Sequence, residues 1–341
     1  MKVIYVAERI PLNGALGQTL RRNGIIEGLT QNGCEVSTIL VNRDGEGLKT
    51  LEKVRGECDA NQNIFMIFEG FEFSIFAQRF VSLNGAFVDI CDSRVLIASI
   101  DPKMRKSRVV KFIRKYLKIV RNGFRLKKLG KSCRGFIYIS ERDLKSDEMF
   151  LKRDLIKVIL PNGIDKNEMS RIAFKIEGDF LLVGNWSYAP NIEMLNYAVR
   201  FLENHEVRGR RALRIAGPNL KLQYIPSRSW ITYLGWVKEK SDIYKDTFCL
   251  LAPIFQGGGV KNKVLEAISY GIPIFGLEEA FASIPMDLQG CCFPFQNLPN
   301  FNNEVIVNYN EIEQKLYTAK RLTSKYTWKD SVGNLLIEFA S

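Results

Sequence analysis

The chain has 341 residues, 46% hydrophobic and 25% charged. That length exceeds one ordinary core and fits two domains of roughly 150 to 200 residues, and the balance excludes disordered and fibrous classes. The net charge of +12 is uneven: fourteen Lys or Arg and no Asp or Glu fall between Pro102 and Arg134, so the remaining residues sum to −2 (12 − 14). This describes a near-neutral protein with one basic stretch, not a general polyanion binder.

The first residues, Met1 to Ala7, form an apolar run that turns at Pro11 and Gly14. They read as a strand and not as a basic leader with a cleavage site. No window approaches 18 uncharged apolar residues, so no membrane-spanning helix is expected. The seven cysteines, an odd number without a Cys-x-x-Cys pair, read as reduced thiols of a cytoplasmic protein with no bound metal.

Strands and helices then alternate: strand Val3–Ala7, helix Thr19–Asn32, strand Val36–Val41, helix Leu48–Gly56, strand Ile64–Phe68 and strand Ala86–Cys91. Long helices in the basic segment and strands at Gly135–Ile139 and Lys157–Leu160 follow. Such alternation predicts a parallel sheet with crossover helices, an α/β fold. Turn chemistry at Pro161-Asn162-Gly163 opens an expected linker to Gly178. Alternation restarts with strand Asp179–Gly184, helix Pro190–Glu203, strands Ala212–Gly217 and Trp230–Leu234, a short helix near Lys240, strand Phe248–Ala252, helix Val260–Tyr270 and strand Ile274–Phe275. Asn310–Ala340 reads as helix. The predicted domains are residues 1–165, residues 166–320 and a closing helix, 321–341, that packs back across the junction.

The stretch from Pro253 to Phe275 carries the chemistry. Gly257, Gly258 and Gly259 lie between a buried strand and a helix, where a ligand can approach the backbone and a phosphate can meet the helix N-terminus. Lys261 and Lys263 add positive charge. At about 100° per residue Val264, Leu265 and Ile268 face the core, while Lys263 and Glu266 share the other side. A cation there suits a diphosphate and a carboxylate suits ribose hydroxyls. The alternative is packing glycines and a solvated ion pair. Neither a Walker P-loop nor a Gly-x-Gly-x-x-Gly turn after the first strand is present.

With its Gly-x-Lys-x-Lys-x-x-Glu-Ala pattern, the chain resembles the group 1 glycosyltransferases, the family 4 branch of the GT-B fold. The resemblance extends to the glycine-bearing first loop (Pro11, Gly14, Gly17), Val88 to Asp92, Leu160 to Asp165, Val183 to Asn191, Ile215 to Gly217, Tyr233 to Val237 and Tyr326 to Trp328. It implies two Rossmann-like domains facing a cleft and transfer of a sugar from a nucleoside diphosphate, with retention and without an Asp-x-Asp metal. The donor is then a co-substrate and no cofactor is needed. By the same resemblance Glu266 holds the ribose and Lys261 or Lys263 the diphosphate. Gly184 and Gly217 line the nucleotide, the backbone through Gly235, Trp236 and Val237 meets the base, and Gly257 to Val260 cradle the phosphates with Gly14 and Gly17. Two departures stand out: Gly258 occupies the position of the family's first glutamate, and the Arg and Lys often found after the second domain's first strand are missing between Gly184 and Pro190. Donor-sugar contacts and stereochemistry stay open on that account.

Asp89 and Asp92 follow a strand where the resemblance places acceptor chemistry; each can take a proton or orient a hydroxyl, or equally serve as a cap or salt bridge. Lys263 is the third catalytic candidate. Arg21 and Arg22 start a helix and could reach phosphate, but exposed surface charge is the expectation, and His205, the single histidine, is expected to be a surface residue. In the basic segment, residues 103–134, Val109, Phe112, Ile113, Tyr116, Leu117, Val120 and Phe124 recur at helical spacing. That is a basic amphipathic helix, suited to an anionic membrane surface or a lipid diphosphate at about 1 kcal/mol per basic residue, or else to packing on the first domain. The expected partners are thus a nucleotide-sugar donor, a glycan or lipid-linked acceptor of polysaccharide biosynthesis and an anionic inner leaflet. Nucleic acid is not expected, because no aromatic stacking platform accompanies the basic residues. The rival readings are a sugar-nucleotide epimerase and an accessory binding protein.

Overall fold

The computed structural model describes residues 1–9, 16–60, 64–100, 108–165, 173–205, 209–225 and 227–340. They form two compact units: Met1–Gly163 with Gly258–Val260 and Trp328–Ser341, and Ile164–Gly257 with Lys261–Thr327.

The first unit runs β1 (Lys2–Glu8), α1 (Leu16–Gln31), β2 (Glu35–Val41), α2 (Gly45–Ala60), β3 (Ile64–Glu69), α3 (Phe71–Ala77), β4 (Phe87–Cys91), α4 (Arg94–Ile100), α5 (Arg108–Leu129), β5 (Gly135–Tyr138), α6 (Glu141–Asp147) and β6 (Ile156–Ile159). Its six strands are parallel in the order β2-β1-β3-β4-β5-β6. Alternate residues of β1 go to opposite faces, and both faces are covered. Ile4 and Val6 join one core with Phe68, Val88 and Phe136, while Val3, Tyr5 and Ala7 join another with Ile67, Phe87 and Ile137. Two-sided burial is why these strands are continuous apolar runs.

The second unit runs β7 (Phe174–Val183), α7 (Ala189–Asn204), β8 (Leu213–Ala216), β9 (Ile231–Gly235), α8 (Lys240–Tyr244), β10 (Thr247–Ala252), α9 (Asn262–Ser269), β11 (Ile274–Gly276), α10 (Glu278–Phe281), β12 (Cys292–Pro294) and α11 (Leu298–Leu322). It is also a parallel six-stranded sheet, in the order β12-β11-β10-β7-β8-β9. β7 starts at Phe174, earlier than the expected Asp179, because Phe174 is buried beside Phe248, ring centroids 6.1 Å apart.

The helix expected over Asn310–Ala340 is two helices. α11 begins at Leu298 and ends at Leu322, and after a turn α12 spans Trp328–Ala340. The break has a cause: Ile164 N donates to Tyr326 O at 2.8 Å and Ile164 pairs with Thr327, which draws the chain into extended form. α12 then packs on α1 of the first unit, where Trp328 lies on Gly24 and Gly28. A Cβ at Gly24 would stand 2.0 Å from the indole, so only glycine admits that ring. The short α3 and α6 were not expected: in α3 Phe71, Phe73, Ser74, Ile75 and Ala77 are all buried and leave no 3.6-residue period, while the buried positions of α6 are the polar Asp143 and Asp147, so no apolar stripe marks it. No described helix is long and apolar enough to cross a membrane.

Candidate functional site

In an open α/β sheet, ligands gather at the carboxyl ends of the strands where the strand order reverses. In the second unit that point lies between β7 and β10, and the loops following these two strands carry most of the residues singled out in the sequence.

After β7, Gly184 N donates to Ala216 O at 3.1 Å and Gly217 N to Gly235 O at 2.7 Å, tying the ends of β7, β8 and β9 together. Gly217 has φ of 117°, and a Cβ there would lie 1.9 Å from Gly184 O, so the close approach of these strand ends requires glycine. Trp186 is buried beneath, its indole Nε1 donating to Ala216 O at 3.1 Å. Asn191 Nδ2 donates to Asn185 O at 2.7 Å, which fixes the Asn191 amide with its oxygen turned to Lys263.

After β10, the loop Pro253–Lys261 leads into α9. Gly257 has φ of 147°, which L side chains rarely adopt, and its backbone passes so near Lys261 that an added Cβ would be 3.3 Å from Nζ. Gly258, Gly259 and Val260 complete the loop. Lys261 caps α9 with extended backbone and approaches Glu279 Oε1 at 3.9 Å. Lys263 Nζ donates to Asn191 Oδ1 at 3.0 Å. Burial first, and repulsion from Lys261 second, push the Lys263 ammonium down from 10.5 to about 8, against the pull of Glu266. Glu266, half-buried, accepts from the fully buried Tyr244 hydroxyl at 2.9 Å and meets Lys240 Nζ at 3.2 Å; Lys240 also reaches Asp165 Oδ2 at 3.3 Å. Lys263 and Glu266 therefore share a helix face, as their spacing predicts, but each is held by a different set of partners. Beyond β9, Trp236 is 65% exposed and Val237 half-buried.

Sequence reasoning gave no role to Asn191, Tyr244 or Lys240. The first lay within a quoted motif, while the other two sit on a five-residue helix whose pattern carries no signal.

In the first unit, Asp89 is 1% exposed and accepts from Arg21 Nε and Nη2, both at 2.9 Å. Arg21 Nη1 also donates to Leu160 O and Asn162 Oδ1. Arg22 makes a second two-pronged pair with Glu69, at 2.5 and 3.0 Å. Arg21 and Arg22 are thus buried, contrary to the expectation of surface charge, because carboxylates 68 and 47 residues away meet them. Both oxygens of Asp89 serve this salt bridge, one of the two roles its sequence position left open.

Asp92 is half-buried in the loop from β4 to α4, after Cys91, whose φ is 60°. Two buried carboxylates of α6 pin that loop. Asp143 Oδ1 accepts from Ser93 N at 2.8 Å, and Asp147 Oδ1 accepts from Ser93 Oγ at 2.5 Å. Gly17 lies on α1 with open space where a Cβ would be, Gly14 lies outside the described residues, and His205 is exposed at the end of α7.

Residues 177–306 match the family profile described as Glycosyl transferases group 1. No curated protein sequence matches the chain. Among solved structures it is similar to sucrose-phosphate synthase from Thermosynechococcus elongatus, with TM-score 0.67 and 12% identity over 100% of both chains. It is similar too to HepE of Anabaena in complex with UDP, with TM-score 0.63 and 10% identity over 99% of this chain and 100% of that one. A lipopolysaccharide outer core galactosyltransferase, WaaB, aligns with TM-score 0.57 and 13% identity over 99% of each chain. At such identities the likeness is one of fold. The second unit thus carries, over residues 177–306, a match to the group 1 glycosyltransferase profile, and the chain as a whole has the two Rossmann-like units of the GT-B fold.

Proposed function

We propose that the protein transfers a sugar from a nucleoside-diphosphate donor, held at the carboxyl edge of β7 and β10, to a glycan or lipid-linked acceptor. The observation that carries this reading is the meeting at one strand-order reversal of Gly184, the Gly257–Gly259 loop, the N-terminus of α9 and Lys263. When the bond from the anomeric carbon to the phosphate oxygen breaks, the departing diphosphate gains negative charge. Lys261, Lys263 and the α9 N-terminus supply the opposite sign without a metal held by the protein. Glu266 accepts hydrogen bonds from the ribose, sharing or giving up those from Tyr244 and Lys240. The base lies along Gly235 to Val237, where Trp236 offers an exposed ring. Asp92 orients the acceptor hydroxyl for attack on the face that the diphosphate leaves, the departing phosphate oxygen takes its proton as the new bond to the anomeric carbon forms, and Asp89 is committed to Arg21. We assign retention of anomeric configuration and a cytoplasmic setting to the same reading.

UDP is the first nucleotide to try, since HepE was crystallised with UDP and with UDP-glucose. Thermal unfolding with UDP, GDP, ADP, dTDP or CMP is expected to rise for one of the five. A ligand at about 100 times its Kd adds about 2.7 kcal/mol. Glu266→Gln, which keeps an oxygen for Tyr244 and loses the charge, is expected to reduce that shift. No shift with any nucleotide would sink the proposal.

A further inference from the structure

The basic helix α5 turns two different faces to its surroundings. Leu126 and Leu129 are buried in the first unit's core, and Ile119 packs against it. Asn122 Nδ2 donates to Arg94 O at 3.1 Å, and the ring of Phe150 fills the space over Gly123, where a Cβ would lie 2.2 Å away. Arg125 is held by Glu72 at 3.0 and 2.6 Å. The core-facing side is therefore complete without five other large apolar residues of the helix. Those residues face water: Phe112 is 70% exposed, Ile113 51%, Tyr116 60%, Leu117 60% and Phe124 68%.

At about 100° per residue these five span one arc of about 140°, separate from the narrower arc of Ile119, Asn122, Leu126 and Leu129. Lys128 and Arg121 border that arc, and Lys127 projects within it. No acidic residue occurs from Pro102 to Arg134. At about 1.5 Å per residue the helix is about 33 Å long, enough to lie flat on a surface with many side chains engaged at once. Five exposed large apolar side chains on one arc are a patch that water alone does not explain.

We propose that this arc of α5 docks the protein on an anionic lipid bilayer, with the aromatic and aliphatic side chains entering the headgroup boundary and the neighbouring Lys and Arg meeting lipid phosphates. The choice of occupant rests on charge complementarity. A helix with apolar residues on one arc and only basic charge beside it fits a surface that is apolar inside and negative at its boundary. This surface is distinct from the donor site, so nucleotide binding tests the one and vesicle binding the other.

Co-sedimentation of the full chain is the test, with vesicles of phosphatidylcholine alone and of phosphatidylcholine mixed with phosphatidylglycerol. Binding is expected on the mixed vesicles and to be weaker with added salt. A Phe112→Ser, Tyr116→Ser, Phe124→Ser variant is expected to lose about tenfold or more in partitioning while its thermal unfolding stays that of the parent, since all three side chains are exposed. An Arg121→Gln, Lys127→Gln, Lys128→Gln variant is expected to lose up to about a hundredfold on mixed vesicles. Equal binding to both vesicle types, no binding to either, or vesicle binding untouched by the serine variant would overturn the proposal. So would a dimer in sedimentation velocity that the serine variant dissolves while no vesicle binding is seen, because a second copy would then be what covers the arc.

Discussion

Arg21 of the first unit and Lys263 of the second are both cations drawn in from water, and their circumstances are opposite. Burial pulls the Arg21 guanidinium down, but Asp89 at 2.9 Å more than reverses this, so it is held well above its ordinary value. Lys263 has burial and Lys261 against it and a neutral amide oxygen, Asn191 Oδ1, as its hydrogen-bond partner, so its ammonium falls to about 8. A buried charge that meets its counter-ion inside the protein is a strut. One that meets only a neutral dipole has electrostatic need left over, and an anion arriving from outside relieves it. The same reasoning marks Asp89 as a strut: it is 1% exposed on β4 with both oxygens on the Arg21 guanidinium, whereas Asp92, in the loop that follows, is half-buried.

The largest effect should come from breaking the strut. Asp89→Leu leaves the Arg21 charge buried without its carboxylate and is expected to cost about 3–5 kcal/mol in urea unfolding. Adding Arg21→Met to it should restore much of the loss. A harmless Asp89→Leu would show that the pair is not structural and would return Asp89 to the list of candidate bases.

Lys263 should behave with the opposite sign. Lys263→Met removes a cation that the fold does not fully compensate, so stability is expected to hold or rise by about 1 kcal/mol. Diphosphate affinity should fall roughly 10- to 100-fold, the value of a charge-assisted hydrogen bond. The pH dependence sharpens this. Between about pH 8 and 10.5 the unfolded chain keeps a proton on Lys263 that the folded chain has lost, so this group makes stability rise with pH across that window. Nucleotide affinity should do the reverse, weakening as pH rises through about 8, with the bound diphosphate moving the fall somewhat upward. Titration calorimetry from pH 7 to 9 reads it, and Lys263→Arg, which stays charged, should flatten the profile. Parallel pH profiles in both proteins would place the titrating group elsewhere.

Much of this was legible in the chain and some was not, for physical reasons. Strands buried on both faces leave continuous apolar runs, so β1, β4, β5 and β10 could be read, and the spacing of Lys263 and Glu266 fixed their shared face. Pairing across the sheet leaves no such mark. Arg21 and Arg22 looked like surface charge because Asp89 and Glu69 are far away in sequence, and nothing local marks Lys240 and Tyr244 as partners of Glu266. Periodicity showed that α5 is amphipathic but not which arc meets the core, because both arcs carry apolar residues and only packing against Phe150 and the first unit's core decides between them.

Asp147 is the acidic counterpart of Lys263 and gives the smallest and cleanest test. It is wholly buried on α6, and its Oδ1 accepts from the neutral Ser93 hydroxyl. Burial pushes its carboxyl up from 3.8 to about 6, outweighing the hydrogen bonds that favour the charge. Between pH 3.8 and 6 the folded chain therefore holds a proton that the unfolded chain has lost, and this group makes stability fall as pH rises through that window. Asp147→Asn removes the titration and keeps an oxygen for Ser93. Its stability relative to the parent is expected to improve by about 1–2 kcal/mol on going from pH 4 to pH 7, a fraction of the roughly 3 kcal/mol that two pK units represent. Urea unfolding at the two pH values measures the change. A variant that loses ground at pH 7 would mean that the negative charge itself holds the Ser93 loop, and Asp147 would then belong with Asp89 among the struts.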